Sequence, residues 1–168
     1  MRLQILFLYL CKKTGMINRI IKGSILSDYK RRKVIVLLGA RQVGKTTLLS
    51  ELCEGKDRVL SLNCDNVDDV LALEGKTTTE LRQLLSSYEL VFIDEAQRVK
   101  NVGLTLKMIG DLKLETQVVV TGSSSLDMAD EINEPATGRL IEYNLFPFSL
   151  PELALYSSER EENRLLEN

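Results

Sequence analysis

The sequence predicts an α/β fold, in which helices cover both faces of a mostly parallel five-stranded sheet to form a three-layer αβα sandwich. Short apolar runs typical of buried strands alternate with segments whose apolar residues recur at helical spacing. The apolar run at residues 33–38 leads into a glycine-containing loop, and a later run ends in two adjacent carboxylates. The chain has 168 residues, of which 44% are hydrophobic, which is enough for one domain with a sizeable core.

The individual elements follow from hydrophobic spacing. Isoleucines at helical intervals predict a first helix over residues 17–30. Continuous apolar runs are typical of strands in parallel sheets, where both faces are covered. Such runs predict strands at residues 33–38, 58–63, 89–94, 117–121 and 139–145. Apolar residues at helical spacing predict helices at residues 45–52, 77–87, which opens with a capping pattern, and 102–114.

Three parts are expected along the chain. Residues 1–15 form an N-terminal extension, residues 16–153 form the domain, and residues 154–168 form an acidic helical tail. The apolar run near the start is shorter than the roughly 20 residues needed to span a bilayer. Met16, followed by isoleucines at helical spacing, reads as a more natural start of the protein. No membrane segment is therefore expected.

Basic and acidic residues are unevenly distributed. Nine basic residues and one acidic residue lie between positions 1 and 33, whereas ten acidic and three basic residues lie between positions 127 and 168. Two solvated surfaces of opposite sign explain this pattern. The alternatives are a basic face that touches nucleic acid, or two ends that attract each other within or between subunits.

The cysteine and histidine content excludes several classes of site. The three cysteines have no regular spacing, and the chain has no histidine. A disulfide framework and a zinc site are therefore not expected, and triads or general bases that use histidine are excluded. This usage favours a reducing, cytoplasmic location.

The loop after the first predicted strand fits the phosphate-binding pattern G-x-x-x-x-G-K-[ST] and opens a helix, as that motif requires. The backbone N–H groups of such a loop and the helix N-terminus face phosphate oxygens. Lys45 is expected to supply a cation to the β- and γ-phosphates, and the Thr46 hydroxyl to ligate Mg²⁺. The predicted nucleotide-binding residues are Gly39, Ala40, Arg41, Gln42, Val43, Gly44, Lys45, Thr46 and Thr47.

The third predicted strand ends in Asp94 and Glu95 after four apolar residues. Burying a carboxylate without a partner is costly, and Mg²⁺ beside the phosphates is a natural partner. Because carboxyl ends of parallel strands share one edge with the phosphate loop, Asp94 is expected to hold Mg²⁺ through water. Glu95 is expected to orient or activate the attacking water. The alternative is the start of a solvated loop.

Two further residues are candidates for catalysis. The fourth predicted strand leads into Ser123, which is expected beside the γ-phosphate, with Thr121 as the second choice and a plain serine turn as the alternative. Arg139 precedes the fifth strand. An arginine that meets the developing charge contributes about 10³–10⁵ to the rate of phosphoryl transfer. Arg139 is expected to act in its own site or in a neighbour's, or else to form a structural ion pair.

A set of short segments accompanies the phosphate loop, at residues 47–49, 62–65, 92–98, 120–124, 138–139 and 145–149. Together with the loop, this set resembles one AAA+ group, the prokaryotic ATP-binding proteins of the fourteenth AAA family, from about Met16 to Leu153. The resemblance implies strand order 5-1-4-3-2, with Walker A, Walker B and sensor 1 roles for the residues above. A serine stands where asparagine or threonine is commoner at sensor 1. It also implies a lid beyond this stretch, of which residues 154–168 are expected to be the start.

Three functions are consistent with these features. The absence of an Asn-Lys-x-Asp tetrad favours ATP over GTP, and the acidic pair favours hydrolysis over kinase chemistry. The first function is Mg²⁺-dependent ATP hydrolysis coupled to a conformational change. The second is a nucleotide-binding interaction module with little or no turnover, which acts with a second copy or a protein partner. The third is a DNA-associated regulator whose basic N-terminal helix contacts phosphates.

Overall fold

The computed structural model describes residues 17–123 and 138–157, without the side chain of Lys30. The predicted N-terminal extension, residues 1–15, lies outside the described residues. So do residues 158–168 of the predicted acidic tail and much of the two oppositely charged ends. Residues 150–157 are helical, which agrees with the composition of this part of the chain.

Five parallel strands form one sheet, and each matches a predicted strand within two residues. They are β1 (Val34–Leu38), β2 (Val59–Asn63), β3 (Leu90–Asp94), β4 (Gln117–Gly122) and β5 (Leu140–Asn144). Their order across the sheet is β2-β3-β4-β1-β5, and every neighbouring pair is parallel. The strand order that the sequence resemblance implied is therefore confirmed, and β1 lies between β4 and β5.

In the described residues, five α-helices lie between residues 21 and 111, before the helical stretch at 150–157. They are α1 (Ile21–Asp28), α2 (Lys45–Leu52), α3 (Val67–Leu71), α4 (Thr78–Leu85) and α5 (Val102–Asp111). The helix α4 begins with the predicted capping box, in which Thr77 and Glu80 bond to each other's backbone N–H groups. The short helix α3 was not predicted; its start is fixed by Asn66, whose side chain accepts a hydrogen bond from Asp68 N at 3.2 Å. None of the described helices is long and apolar enough to cross a membrane.

The sheet is buried on both faces because helices cover both. All five residues of β1 are at most 4% exposed. Val36 belongs to the core on the side of α4 and α5. Its neighbour Ile35 belongs to the core on the side of α1 and α2. This alternation explains why β1 is a continuous apolar run, and it confirms the three-layer sandwich.

Candidate functional site

The loop between β1 and α2 takes a shape that its glycines permit. Gly44 has φ +92° and Gln42 has φ +66°, so two residues of this short loop are left-handed. Gly39 is required for a different reason. A Cβ at Gly39 would lie 2.6 Å from the carbonyl oxygen of Leu145, which passes directly behind the loop. The chain after β5 therefore supports the loop from behind.

Lys45 is folded back into the loop and is only 7% exposed. Its ammonium donates hydrogen bonds to the carbonyl oxygens of Gly39, at 2.7 Å, and Ala40, at 3.0 Å. The buried ammonium of Lys45 is therefore held by the backbone of the loop itself. The helix α2 begins at this point with no side-chain capping bond, so its first N–H groups remain available to an anion.

Asp94 and Glu95 lie at the carboxyl end of β3, on the edge of the sheet that carries the loop. The Thr121 hydroxyl, at the end of β4, donates a hydrogen bond to Oδ1 of Asp94. Glu95 N bonds to the same Oδ1 at 3.1 Å and to Thr121 Oγ1 at 3.3 Å. Thr121 is fully buried, and its two hydrogen bonds hold Asp94 and Glu95 against the end of β4.

The loop and the acidic strand ends face each other across a pocket of about 550 Å³. Ligand pockets typically have volumes of about 300–1,000 Å³. The pocket is lined by Arg41, Gln42, Gly44, Lys45, Thr46, Thr47, Asp65, Asp94 and Glu95, all but Asp65 predicted from the sequence. Tertiary folding therefore brings six of the nine predicted loop residues together with both predicted carboxylates.

The donor set fits a hard cation such as Mg²⁺, which prefers oxygen ligands. The Thr46 hydroxyl and the Asp94 carboxylate line the same pocket. Among the described residues, both hydrogen bonds to Asp94 use Oδ1, so Oδ2 remains for a cation. No group of three or more Cys, Asp or Glu in the described part of the chain is arranged to hold a metal alone.

The pocket also contains a carboxylate that the sequence analysis did not assign to the site. Asp65 lies just beyond β2 and forms an ion pair with Arg98, at 3.4 Å between Arg98 Nε and Asp65 Oδ1. Burial, and then the nearby carboxylates of Asp69, Asp94, Asp65 and Glu95, raise the pKa of the Cys64 thiol to about 12. This mouth of the pocket is therefore acidic, which favours a bound cation. The position of Asp65 in the sequence, two residues beyond the end of β2, is the feature that could have indicated a place in the site.

Gln97 is a second residue whose contact with the site was not predicted. Its side-chain amide donates a hydrogen bond to Oε2 of Glu95. Glu95 itself has φ +53°, a left-handed conformation that is uncommon for a residue with a side chain. The left-handed backbone at Glu95 therefore sets the direction of its side chain, and Gln97 holds one oxygen of the Glu95 carboxylate.

Ser123 and Arg139 are not brought into the pocket. Ser123 follows the end of β4, close to the loop, because Gly39 N donates to Gly122 O at 3.3 Å. Thr121, the second choice for this role, hydrogen-bonds to both acidic residues. β4 ends at Gly122, immediately before Ser123, and the role of Ser123 beside the γ-phosphate stays a prediction.

Arg139 lies at the opposite edge of the sheet from the phosphate loop. Its carbonyl oxygen accepts a hydrogen bond from Val34 N, at the start of β1, whereas the loop follows the end of β1. A strand of this length spans roughly 16 Å. The placement of Arg139 in the site of its own chain is therefore corrected. The guanidinium forms an ion pair with Asp111 of α5, and a role in a neighbour's site stays a prediction.

Thr121→Val provides a test of which polar residue supports the acidic strand end. We expect this nearly isosteric change to lower the free energy of unfolding by about 1–3 kcal/mol, because it removes the donor to Asp94 Oδ1 and one acceptor of the Glu95 N–H. Ser123→Ala is the matched change two residues further along. Urea unfolding of both variants measures the effect, and a larger loss for Ser123→Ala than for Thr121→Val would contradict the assignment.

Comparison with known proteins agrees with this geometry. A family model described as an AAA domain, the fourteenth of that series, matches residues 31–154. Among solved structures, the chain is similar to the crystal structure of a DNA replication initiation factor. The TM-score is 0.52 and the identity 18%, over 90% of this chain and 53% of that one. At this identity the likeness shows the fold, and the chain spans about half the length of that structure.

No curated protein sequence matches the chain. The family match covers well over half of the 168 residues and contains the loop, both acidic residues and all five strands. The protein therefore belongs to this family of AAA domains and is a P-loop protein of the AAA type.

Proposed function

We propose that the protein binds Mg²⁺-ATP in the pocket beside α2 and hydrolyses it, and that hydrolysis is coupled to a conformational change. One observation carries this proposal. The buried ammonium of Lys45 and the carboxylates of Asp94 and Glu95 line the same pocket. A cationic loop opposite an acidic strand end is the arrangement that triphosphate hydrolysis needs.

Each residue has a distinct role in the proposed reaction. The loop N–H groups and Lys45 bind the β- and γ-phosphates. Thr46 and Asp94 would hold Mg²⁺, which offsets negative charge on the phosphate oxygens when bound. Glu95 orients a water molecule towards the γ-phosphate and accepts its proton. Thr121 and Gln97 fix the carboxylates of Asp94 and Glu95 through the hydrogen bonds described above.

The second candidate is a nucleotide-binding module with little turnover, and the position of Arg139 favours it. Arg139 lies at the opposite edge of the sheet from the pocket of its own chain, so it does not stabilise charge on the phosphates there. Full activity would then require a second copy or another protein that supplies an arginine to the site.

Association with nucleic acid is a weaker proposal, supported by the exposed Arg31 and Arg32 and by the likeness to a DNA replication initiation factor. The buried thiols of Cys53 and Cys64 support a cytoplasmic location.

A phosphate-release assay on the purified protein tests the proposal. We expect turnover of ATP with Mg²⁺, little turnover when EDTA removes the metal, and a large loss of turnover in Asp94→Asn. Calorimetric titration with ADP and GDP in parallel establishes whether the nucleotide binds and whether adenine is preferred. Binding without turnover would favour the second candidate, and an absence of nucleotide binding would overturn both.

A further inference from the structure

We infer that Arg19 is a positioning residue for nucleotide binding, which turns the Gly44 N–H towards the phosphates by holding the carbonyl of the same peptide. The inference rests on the proposed function of the pocket and extends it to a residue outside the phosphate-loop motif. Arg19 lies in the segment before α1, 24 positions from the carbonyl that it contacts. Nothing in the motif itself requires this arginine.

Arg19 is a buried charge with several partners. Only 7% of the residue is exposed. Its Nη1 donates to the carbonyl oxygen of Val43 at 3.3 Å, and its Nη2 donates to the carbonyl oxygen of Phe146. The guanidinium also stacks over the ring of Phe148, 4.5 Å from the ring centre. A planar group with a rigid fork of donors suits this bridging of two backbone carbonyls.

The planarity of the peptide bond links this contact to the pocket. In a trans peptide the C=O of one residue and the N–H of the next point in opposite directions. The described chain has no cis peptide bonds. Arg19 holds the Val43 carbonyl on the side of the loop away from the pocket. The N–H of Gly44, which lines the pocket, therefore points towards it. Gly44 has φ +92° and no side chain, so without this contact its peptide would rotate readily.

The other side of Arg19 is anchored by Glu152. Arg19 Nε lies 3.3 Å from Glu152 Oε1, and both side chains are at most 7% exposed. Glu152 also accepts bonds from Ile20 N at 3.0 Å, from Ser149 N at 2.8 Å and from Ser149 Oγ at 3.0 Å. Burial raises the pKa of Glu152, but these hydrogen bonds and the charge of Arg19 outweigh burial and lower it below its usual value. Glu152 is therefore a carboxylate at neutral pH.

These contacts join three distant parts of the chain at one guanidinium. The segment before α1, the phosphate loop and the segment after β5 all meet at Arg19. A bound phosphate that accepts a bond from Gly44 N–H would be sensitive to any change that frees the Val43–Gly44 peptide. A hydrogen bond to a charged group contributes enough for its loss to weaken affinity roughly tenfold to a hundredfold.

The test compares Arg19→Gln with a matched control, Lys22→Gln. Lys22 forms an ion pair between α1 and α2, at 2.9 Å from Glu51 Oε2, and touches neither the loop nor the pocket lining. Affinity for Mg²⁺-ADP is measured by calorimetry, and folding by thermal unfolding. We expect Arg19→Gln to weaken ADP binding roughly tenfold to a hundredfold. Lys22→Gln should bind ADP within about twofold of the parent, because its loss affects only helix packing.

A second readout reports on the peptide itself. In ¹⁵N amide spectra, addition of ADP should shift the Gly44 signal strongly in the parent and in Lys22→Gln, and much less in Arg19→Gln. If Arg19→Gln does not fold, Glu152→Gln takes its place, because this variant keeps Arg19 but removes the charge that anchors it. We then expect Glu152→Gln to bind ADP more weakly and to show a smaller Gly44 shift than the parent. If the parent does not bind ADP, the proposed function fails. If the folded variant binds ADP and shifts Gly44 like the parent, only the inference about Arg19 is overturned.

Discussion

Replacing Lys45 with alanine is expected to weaken ATP binding at least roughly a hundredfold, because the loop loses its charge-assisted hydrogen bonds to phosphate. The structure adds a second reason. The Lys45 ammonium now satisfies the carbonyl oxygens of Gly39 and Ala40, at 2.7 and 3.0 Å. Without it, these oxygens would lack their donor next to the negative phosphates. Equilibrium titration with a fluorescent ATP analogue measures the change.

Lys56→Ala is the matched control for this experiment. Lys56 lies beyond the other end of α2, where its ammonium is 5.9 Å from the centre of the Tyr29 ring. The substitution removes the same charge from the protein but leaves the pocket unchanged. Its ATP affinity should stay within about twofold of the parent, as expected for a distant site. The assignment of the loop fails if Lys45→Ala binds ATP as tightly as Lys56→Ala does.

The second large effect is expected from Glu95→Gln, which should reduce turnover about 10²–10⁴-fold and leave ATP affinity nearly unchanged. The amide has the shape of the carboxylate but does not accept a proton from water. It still offers an oxygen to the side-chain amide of Gln97, so the local structure should be retained. Single-turnover hydrolysis separates the chemical step from nucleotide binding and product release.

Glu89→Gln makes the same chemical change near the opposite end of β3. Glu89 precedes that strand and forms an exposed ion pair with Arg58, at 3.5 Å. Exposed ion pairs contribute about 0–1 kcal/mol, so this control should keep both stability and turnover. Equal single-turnover rates for Glu95→Gln and the parent would show that another group activates the water, and the role of Glu95 would be lost.

Local patterns predicted the elements that carry the site. The apolar run of β1 and the motif that follows it predicted a strand, a turn and a helix in the right places, because their residue types satisfy local conformational needs. The acidic end of β3 was equally informative, since a carboxylate after a buried strand requires a partner. The short helix α3 escaped prediction because five residues are too few to establish a helical period, and its start depends on one asparagine cap.

The choice between Thr121 and Ser123 could not be made from the sequence. The two residues are two positions apart, so strand alternation gives their side chains the same direction. The register of β4 against β3 decides which of the two lies beside Asp94. Ile93 pairs with Val120, which sets Asp94 beside Thr121, and β4 ends before Ser123. Register is a property of the assembled sheet rather than of either strand.

The sequence alone determined the phosphate loop and the acidic strand end, because a cationic glycine loop and adjacent carboxylates are short segments whose chemistry is readable locally. Only the tertiary structure decided which distant residues support them. It moved Arg139 to the far edge of the sheet and placed Arg19 between Val43 and Glu152. The position of Arg139 depends on β5 running parallel to β1. That of Arg19 depends on contacts between residues more than a hundred positions apart.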